Sequence, residues 1–137
     1  MAAQAIKSDR IPIRTSEDVV IVRQYVRKVA IEIGLSLVDQ TKIVTAASEI
    51  ARNTLIHGGG GWASIELVQQ FGRSGVRVIF EDSGPGIRDI DRAMQDGYTT
   101  ANGLGLGLGG AKRLSNEFEI HSSPGQGTRI VLLRWKT

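Results

Sequence analysis

The order of apolar patterns along the chain is the feature that most limits how it can fold. Strand-like alternation in Arg10–Thr15 is followed by two helical patterns, one over Glu17–Ile33 with its start at Ser16 and one with Ser36 as its N-cap, with no strand between them. Two strand-like runs come next, "WASIELVQQ" and "VRVIFED", joined by "FGRSG", which is typical of a hairpin. This order excludes a uniformly parallel sheet. We therefore expect an α+β two-layer sandwich, with helices covering one face of a mostly antiparallel sheet.

The second half of the chain combines irregular segments with one further helix and a second hairpin. Turn residues in "DSGPGIRD" precede a short polar helix around Ile90–Gln95, and the loop "DGYTTANGLGLG" follows. A helix around Leu108–Asn116 then leads to the strand "FEIHSS", the turn "PGQG" and the strand "TRIVLLRWK". We expect the irregular segments to lie together at one end of the sandwich, where they build a binding site.

Length and composition indicate one globular domain spanning residues 1–137. Hydrophobic residues make up 41% of the sequence and charged residues 23%, which excludes a disordered chain. No apolar run approaches the roughly 20 residues of a membrane-spanning helix, and no apolar signal-peptide core is present. We therefore predict a cytoplasmic protein with no membrane partner. With no cysteine and two widely separated histidines, neither a disulfide framework nor a zinc motif is expected.

The basic residues indicate an anionic partner other than nucleic acid. The formal net charge is +3, and 12 of the 17 basic residues are arginine, which suits paired contacts with carboxylate or phosphate. These residues are spread along the chain, and seven aromatic residues offer few surfaces for base stacking. We predict no nucleic-acid binding.

The second helical pattern carries two polar residues on the side away from its apolar stripe. Glu49 and Asn53 are four residues apart, so they project from one side of the helix. Two oxygen-bearing side chains are thus expected to face one target, and the four glycines of residues 58–61 predict a flexible hinge after them. The apolar stripe is formed by Ile43, Val44, Ala47, Ile50, Ala51 and Thr54.

The glycine-rich loop matches neither of two common nucleotide-binding motifs. Gly105, Gly107 and Gly110 have the spacing of a dinucleotide-binding loop, but no buried strand precedes them and too little chain follows. In the register of a P-loop, Ala111 takes the position of the required lysine. Glycines before a helix let backbone N–H groups approach phosphate oxygens closely, so phosphate binding and a plain flexible loop both stay open.

Four sequence boxes, taken in order, resemble the nucleotide-binding boxes of the GHKL superfamily of ATPases and kinases. They are "SEIARN", "EDSGPGI", "GLGLG" and "GT". The resemblance extends from about Ser16 to the last strand. It implies the Bergerat fold, a sandwich of the kind expected above, with ATP and Mg²⁺ as the ligands.

The resemblance also implies a role for each matching residue. Asn53 would bind the Mg²⁺ ion on the nucleotide phosphates, and Glu49 would act as the base. Asp82 would accept a hydrogen bond from the adenine amino group, with Thr128 assisting from the last strand. Each residue alone has a plainer interpretation, as solvated helix face, turn former or strand residue. The glycines would permit a close turn under the base, at Gly84 and Gly86, and a lid over the phosphates, at Gly103, Gly105 and Gly107.

Within this superfamily, a domain of this size is similar to the bacterial serine/threonine kinases of partner-switching pathways. The first hypothesis is an RsbT-type switch kinase of the stressosome, acting in the stress response. Such a kinase would phosphorylate STAS-domain scaffold proteins and, once released, bind and activate a PP2C-type phosphatase. The alternative is an anti-sigma factor, which would sequester a sigma factor and phosphorylate its STAS-domain antagonist.

A third hypothesis is a degenerate nucleotide sensor without transfer activity, which the presence of both Glu49 and Asn53 disfavours. Four further residues border the expected site and could contact an acidic partner, although each is more typical of solvated surface. They are Arg52, Arg88, Arg92 and Tyr98.

Overall fold

The computed structural model describes residues 3–95 and 107–137, in which five strands and four helices form two layers. The strands are β1 (Gln4–Ile13), β2 (Gly61–Gln70), β3 (Arg73–Asp82), β4 (Glu117–Ser122) and β5 (Thr128–Trp135). The helices are α1 (Ser16–Glu32), α2 (Leu37–Ile56), α3 (Ile90–Ala93) and α4 (Gly107–Arg113). The sheet has the order β1-β2-β3-β5-β4, and each neighbouring pair is antiparallel. The expected α+β sandwich is confirmed.

The main core lies between α1, α2 and one face of the sheet. Alternate residues of each strand point to this face, so that Ile65 of β2, Phe80 of β3 and Leu132 of β5 pack in one buried cluster with the helices. On the opposite face a small separate cluster joins Val68, Leu133 and Trp135. The predicted apolar stripe of α2 is buried throughout. None of the helices in the two described ranges is long and apolar enough to cross a membrane.

The two long helices begin and end at residues suited to those positions. Thr15, one residue before the expected start, caps α1, since its side-chain oxygen accepts the Asp18 N–H at 3.3 Å and the Asp18 carboxylate accepts the Thr15 N–H at 3.0 Å. Ser36 caps α2 as predicted, accepting the Asp39 N–H at 3.1 Å. Gly34 ends α1 at a φ of 81°, a conformation that glycine adopts readily.

The main differences from the predicted bounds are in β1, the β2–β3 turn and α4, and α3 also ends at Ala93, before the predicted Gln95. β1 starts at Gln4 and ends at Ile13, because it pairs along nearly all of β2. The β2–β3 turn has only two residues, which have φ values of 52° and 79°, so the last three residues of "FGRSG" belong to β3. The predicted extension of α4 to Asn116 is wrong. The Asn116 N–H donates instead to the Leu133 carbonyl oxygen at 2.8 Å, which places this residue beside β5.

Three of the four glycines that follow α2 are packed against neighbouring segments. A Cβ atom at Gly58 would overlap the Asp82 carboxyl group, and one at Gly61 would overlap the Glu81 carbonyl oxygen. The Gly60 N–H donates to the Thr54 carbonyl oxygen at 3.0 Å, with a φ of 99° at Gly60. This run is therefore glycine-rich for close approach and for positive φ, while a flexible hinge stays a prediction.

Candidate functional site

Strand register places Asp82 and Thr128 side by side. Asp82 is the last residue of β3, Thr128 is the first residue of β5, and the two are direct partners in the antiparallel pairing. Directly opposed residues share one face of a sheet, so both side chains lie on the helix-covered face with Phe80 and Ile130. The structure thus brings together two predicted site residues that are distant in sequence.

The segment after Asp82 lies against the end of α2. The Asp82 Oδ1 atom accepts the Gly84 N–H at 2.9 Å, which turns the chain back towards the carboxylate. A Cβ atom at Gly84 would lie 2.8 Å from both the Cα and the carbonyl oxygen of Gly58. The Gly58 N–H in turn donates to the Asn53 carbonyl oxygen at 3.2 Å. Gly84 therefore permits the backbone of the "EDSGPGI" box to contact the end of the "SEIARN" helix.

The same segment is bonded on its other side to the β4–β5 turn. The Ile87 N–H donates to the Ser122 Oγ atom at 2.8 Å, and the Gly125 N–H donates to the Pro85 carbonyl oxygen at 2.8 Å. Gly86 has a φ of 77°, and a Cβ atom there would overlap the Ser123 carbonyl oxygen. A close turn at Gly84 and Gly86 is present, and both glycines make it by contacting protein backbone, while its position under the base stays a prediction.

Glu49 and Asn53 lie on the side of α2 that faces away from the core, and both are half-buried. The Glu49 side chain is 18% exposed, and its Oε1 atom accepts a hydrogen bond from the Arg52 Nη1 atom at 3.1 Å. This ion pair gives Arg52 a contact within the site that the sequence did not predict. Asn53 precedes the C-cap residue His57 by one turn, and Glu49 lies one further turn back, about 6 Å along the axis.

The predicted lid is described only at its end. Gly107 is the first residue of α4 and has a φ of 66°. α4 packs against α2 through buried residues that include Leu108 and Ala111. Gly103, Gly105 and Tyr98 lie outside the described residues.

An open cavity of about 520 Å³ lies beside the Asp82–Thr128 pair. Ile90 and Ile120 supply apolar walls, and Ser122 lies at its edge. Its volume is within the range of small-molecule sites. Among the described residues of α2, none lines it.

Ser122 is a residue of this site that the sequence interpretation missed. Its hydroxyl contacts the Ile87 N–H, the Gly127 carbonyl oxygen at 3.0 Å and the Thr128 Oγ1 atom at 2.8 Å. Ser122 is the direct partner of Thr128 in the β4–β5 pairing. The predicted hairpin around "PGQG" could have identified it, since the strand register follows from the length of the turn.

The side chains of the site suit an amino-bearing base and a hard cation. Asp82, Thr128, Asn53 and Glu49 all present oxygen atoms. Within the two described ranges, no three His, Asp or Glu side chains are grouped to hold a metal ion. A Mg²⁺ ion at Asn53 would take most of its ligands from phosphates and water, as Mg²⁺ commonly does in nucleotide sites. The residues present therefore fit a nucleotide with its magnesium ion.

Comparison with protein families and curated sequences gives consistent matches. The model of the histidine kinase-, DNA gyrase B- and HSP90-like ATPases matches residues 38–137. The serine/threonine-protein kinase RsbT of Bacillus subtilis (strain 168) is 48% identical over 123 residues, which cover 90% of this chain and 92% of that protein. The anti-sigma F factor of Thermoanaerobacter sp. (strain X514) is 31% identical over 118 residues, covering 82% of each chain.

Solved structures match the fold at lower sequence identity. The RsbU and RsbW domains of a Mycobacterium tuberculosis protein give a TM-score of 0.66 at 23% identity; the match covers 96% of this chain and 33% of that one. The chain therefore spans about a third of that solved chain. The SiaB-SiaC complex of Pseudomonas aeruginosa gives a TM-score of 0.55 at 15% identity, covering 96% of this chain and 90% of that one.

Proposed function

Because the chain belongs to the family of histidine kinase-, DNA gyrase B- and HSP90-like ATPases, we propose that it is a protein kinase that transfers phosphate from ATP to a serine or threonine of a partner. The observation that carries the proposal is the position of Asp82 and Thr128 at the end of the sheet, in contact with the end of the helix that bears Asn53 and Glu49. The 48% identity with a serine/threonine-protein kinase over nine tenths of the chain supports the reaction class.

Asp82 and Thr128 form the base-binding end of the proposed site. The Asp82 Oδ1 atom is held by the Gly84 N–H, which leaves Oδ2 to accept a hydrogen bond from the adenine amino group. Thr128, directly opposite on β5, presents its oxygen to the same group. Ile90 and Ile120 offer apolar surface to the flat base.

Asn53 and Glu49 form the transfer end of the proposed site. Mg²⁺, when bound, would neutralise charge on the nucleotide phosphates, and Asn53 would supply a side-chain oxygen to it. Glu49 takes the proton of the partner hydroxyl while that oxygen forms its bond to the γ-phosphorus and ADP leaves. Arg52 holds the Glu49 carboxylate at 3.1 Å and orients it from the neighbouring turn of α2.

STAS-domain proteins are the proposed phosphoryl acceptors, and a PP2C-type phosphatase is the proposed second partner. Both come from the resemblance to partner-switching kinases of the stress response, and the action we propose is cytoplasmic, where ATP is supplied. The competing candidate is an anti-sigma factor, which the 31% identity with an anti-sigma F factor supports. The higher identity with RsbT favours the switch kinase.

Capture from a lysate of the source organism, followed by single-turnover phosphorylation of the captured proteins with labelled ATP and Mg²⁺, tests the proposal. We expect a STAS-domain protein that becomes labelled on serine or threonine, and a phosphatase that is retained without labelling. Retention of a sigma factor in place of the phosphatase would support the anti-sigma alternative. Absence of label on every captured protein would reject the kinase proposal.

A further inference from the structure

The Ser122 hydroxyl joins three parts of the candidate site. Its Oγ atom lies 2.8 Å from the Ile87 backbone nitrogen, 3.0 Å from the Gly127 carbonyl oxygen and 2.8 Å from the Thr128 Oγ1 atom. The Ile87 nitrogen is only a donor, and the Gly127 carbonyl oxygen is only an acceptor. The Ser122 hydroxyl therefore accepts a hydrogen bond from the Ile87 N–H and donates one to the Gly127 carbonyl oxygen.

The direction of the third hydrogen bond follows from a count of protons. A serine hydroxyl has one proton and two lone pairs. The proton of Ser122 is used on the Gly127 carbonyl oxygen, and one lone pair is used on the Ile87 N–H. With this assignment, the bond between the two hydroxyls, in which either oxygen could donate, is donated by Thr128 to Ser122. Thr128 is left with lone pairs alone for any further partner.

We propose that Ser122 is a positioning residue for base selectivity, because it accepts the hydrogen bond of the Thr128 hydroxyl and so leaves Thr128 as a hydrogen-bond acceptor at the base. The proposal rests on the nucleotide site described above. The Asp82 carboxylate is opposite Thr128 in the strand register, so the base faces two neighbouring hydrogen-bond acceptors, one from each residue. Two acceptors suit the two hydrogens of a 6-amino group and repel a 6-keto oxygen, so the site should select adenine over hypoxanthine or guanine.

Removing the Ser122 hydroxyl should change the polarity of the site. In Ser122→Ala, Thr128 loses its acceptor, and its proton becomes available to a 6-keto oxygen. ATP and inosine triphosphate are the appropriate probes, since inosine carries the keto group and lacks the 2-amino group of guanine. We expect the ratio of the dissociation constants, inosine triphosphate over ATP, to fall by about tenfold, the scale of one hydrogen bond made or lost in a partly buried site.

A loss of loop structure alone would have a different signature. Ser122→Ala also removes the acceptor of the Ile87 N–H, which loosens the segment after Asp82. Such loosening weakens both nucleotides by a similar factor and leaves their ratio unchanged. Ser122→Thr keeps a hydroxyl and should restore the ratio. Ser8→Ala, at an exposed serine of the edge strand β1, is the matched control and should leave the ratio at the wild-type value.

Thr128→Val provides a second test that leaves the Ser122 bonds to Ile87 and Gly127 in place. It removes one of the two acceptors, so the ratio should fall here as well. Calorimetric titration of both nucleotides into the folded full-length variants measures these ratios. An unchanged ratio in Ser122→Ala or in Thr128→Val, with wild-type protein binding ATP, overturns the role of Ser122 and leaves the kinase proposal standing. Absence of ATP binding by the wild-type protein overturns both.

Discussion

Replacing Gly58 by alanine should weaken nucleotide binding through Asp82 while the fold persists. The new Cβ atom would overlap the Asp82 carboxyl group and would lie 2.7 Å from its Cβ atom. The short side chain cannot avoid this contact without turning away, which breaks the hydrogen bond between Oδ1 and the Gly84 N–H. The carboxylate would then no longer stand opposite Thr128.

The size of the effect can be estimated from the bonds that are lost. A hydrogen bond accepted by a carboxylate contributes about 1.5–3 kcal/mol, so losing the one from the base should weaken ATP binding by roughly 10- to 150-fold. Losing the bond to Gly84 should lower the free energy of unfolding by about 1–2 kcal/mol, after the gain of about 0.5 kcal/mol expected when glycine becomes alanine.

Gly59→Ala is the matched control in the same glycine run. No atom lies within 4 Å of a Cβ built at Gly59, but its φ of 74° is unfavourable for alanine. We expect a loss of about 1 kcal/mol in the free energy of unfolding from this backbone strain, with ATP affinity unchanged. Urea unfolding and calorimetric titration of both variants separate the two effects. Wild-type ATP affinity in Gly58→Ala would refute the reasoning.

Three further outcomes are expected. Glu49→Ala should bind Mg-ATP normally and lose phosphoryl transfer by roughly 10²-fold or more, whereas Asn53→Ala should weaken Mg-ATP binding itself. Single-turnover assays beside nucleotide titrations distinguish these results. Equal effects of the two substitutions on Mg-ATP binding and on transfer would contradict them. Asp39→Ala should lower the free energy of unfolding by about 2–3 kcal/mol, because it leaves the largely buried Arg134 guanidinium without the carboxylate that lies 2.8 Å away. Lys7→Ala, which breaks the exposed ion pair with Glu32, should lower the free energy of unfolding by about 0.5 kcal/mol or less. Hydrogen bonds from the Arg14 and Thr15 N–H groups lower the pKa of Asp18. The stabilising contribution of Asp18 is therefore present above about pH 4 and is lost as the pH falls through the lower folded-state pKa. In urea titrations, the difference in the free energy of unfolding between wild type and Asp18→Ala should narrow from pH 7 to pH 2.

Local periodicity was sufficient to predict which face of each long helix is buried. In α2 the spacing of Ile43, Ala47 and Ile50 fixes the core side, and the placement of Glu49 and Asn53 away from the core follows from the same 3.6-residue repeat. The N-cap of α1 was missed by one residue because Thr15 and Ser16 are both suited to the position.

Contacts between segments that are distant in sequence could not be predicted from local patterns. The long β1 strand depends on pairing with β2, and the position of Thr128 opposite Asp82 depends on the register between two hairpins. The glycine run after α2 looked flexible because no local signal distinguishes a hinge from a tight contact. Its packing role is visible only in the folded structure, where Gly58 lies against the Asp82 carboxyl group.

The base-binding end of the site is assembled by three chain connections that contact one another. The α2–β2 connection meets the segment after β3 where Gly58 lies against Asp82 and Gly84. That segment meets the β4–β5 turn through the bonds from Gly125 to Pro85 and from Ile87 to Ser122.

The β4–β5 turn closes this ring of contacts on Asp82 itself. A Cβ atom at Gly127 would overlap the Asp82 carbonyl oxygen, so glycine is needed there for the same reason as at Gly58. Asp82 is therefore contacted from both sides, by Gly58 and by Gly127, while Glu49 lies about two turns before the end of α2. Substitutions in the ring should act on binding of the base, and substitution of Glu49 should act on transfer, because no contact of the ring involves the Glu49 side chain among the described residues.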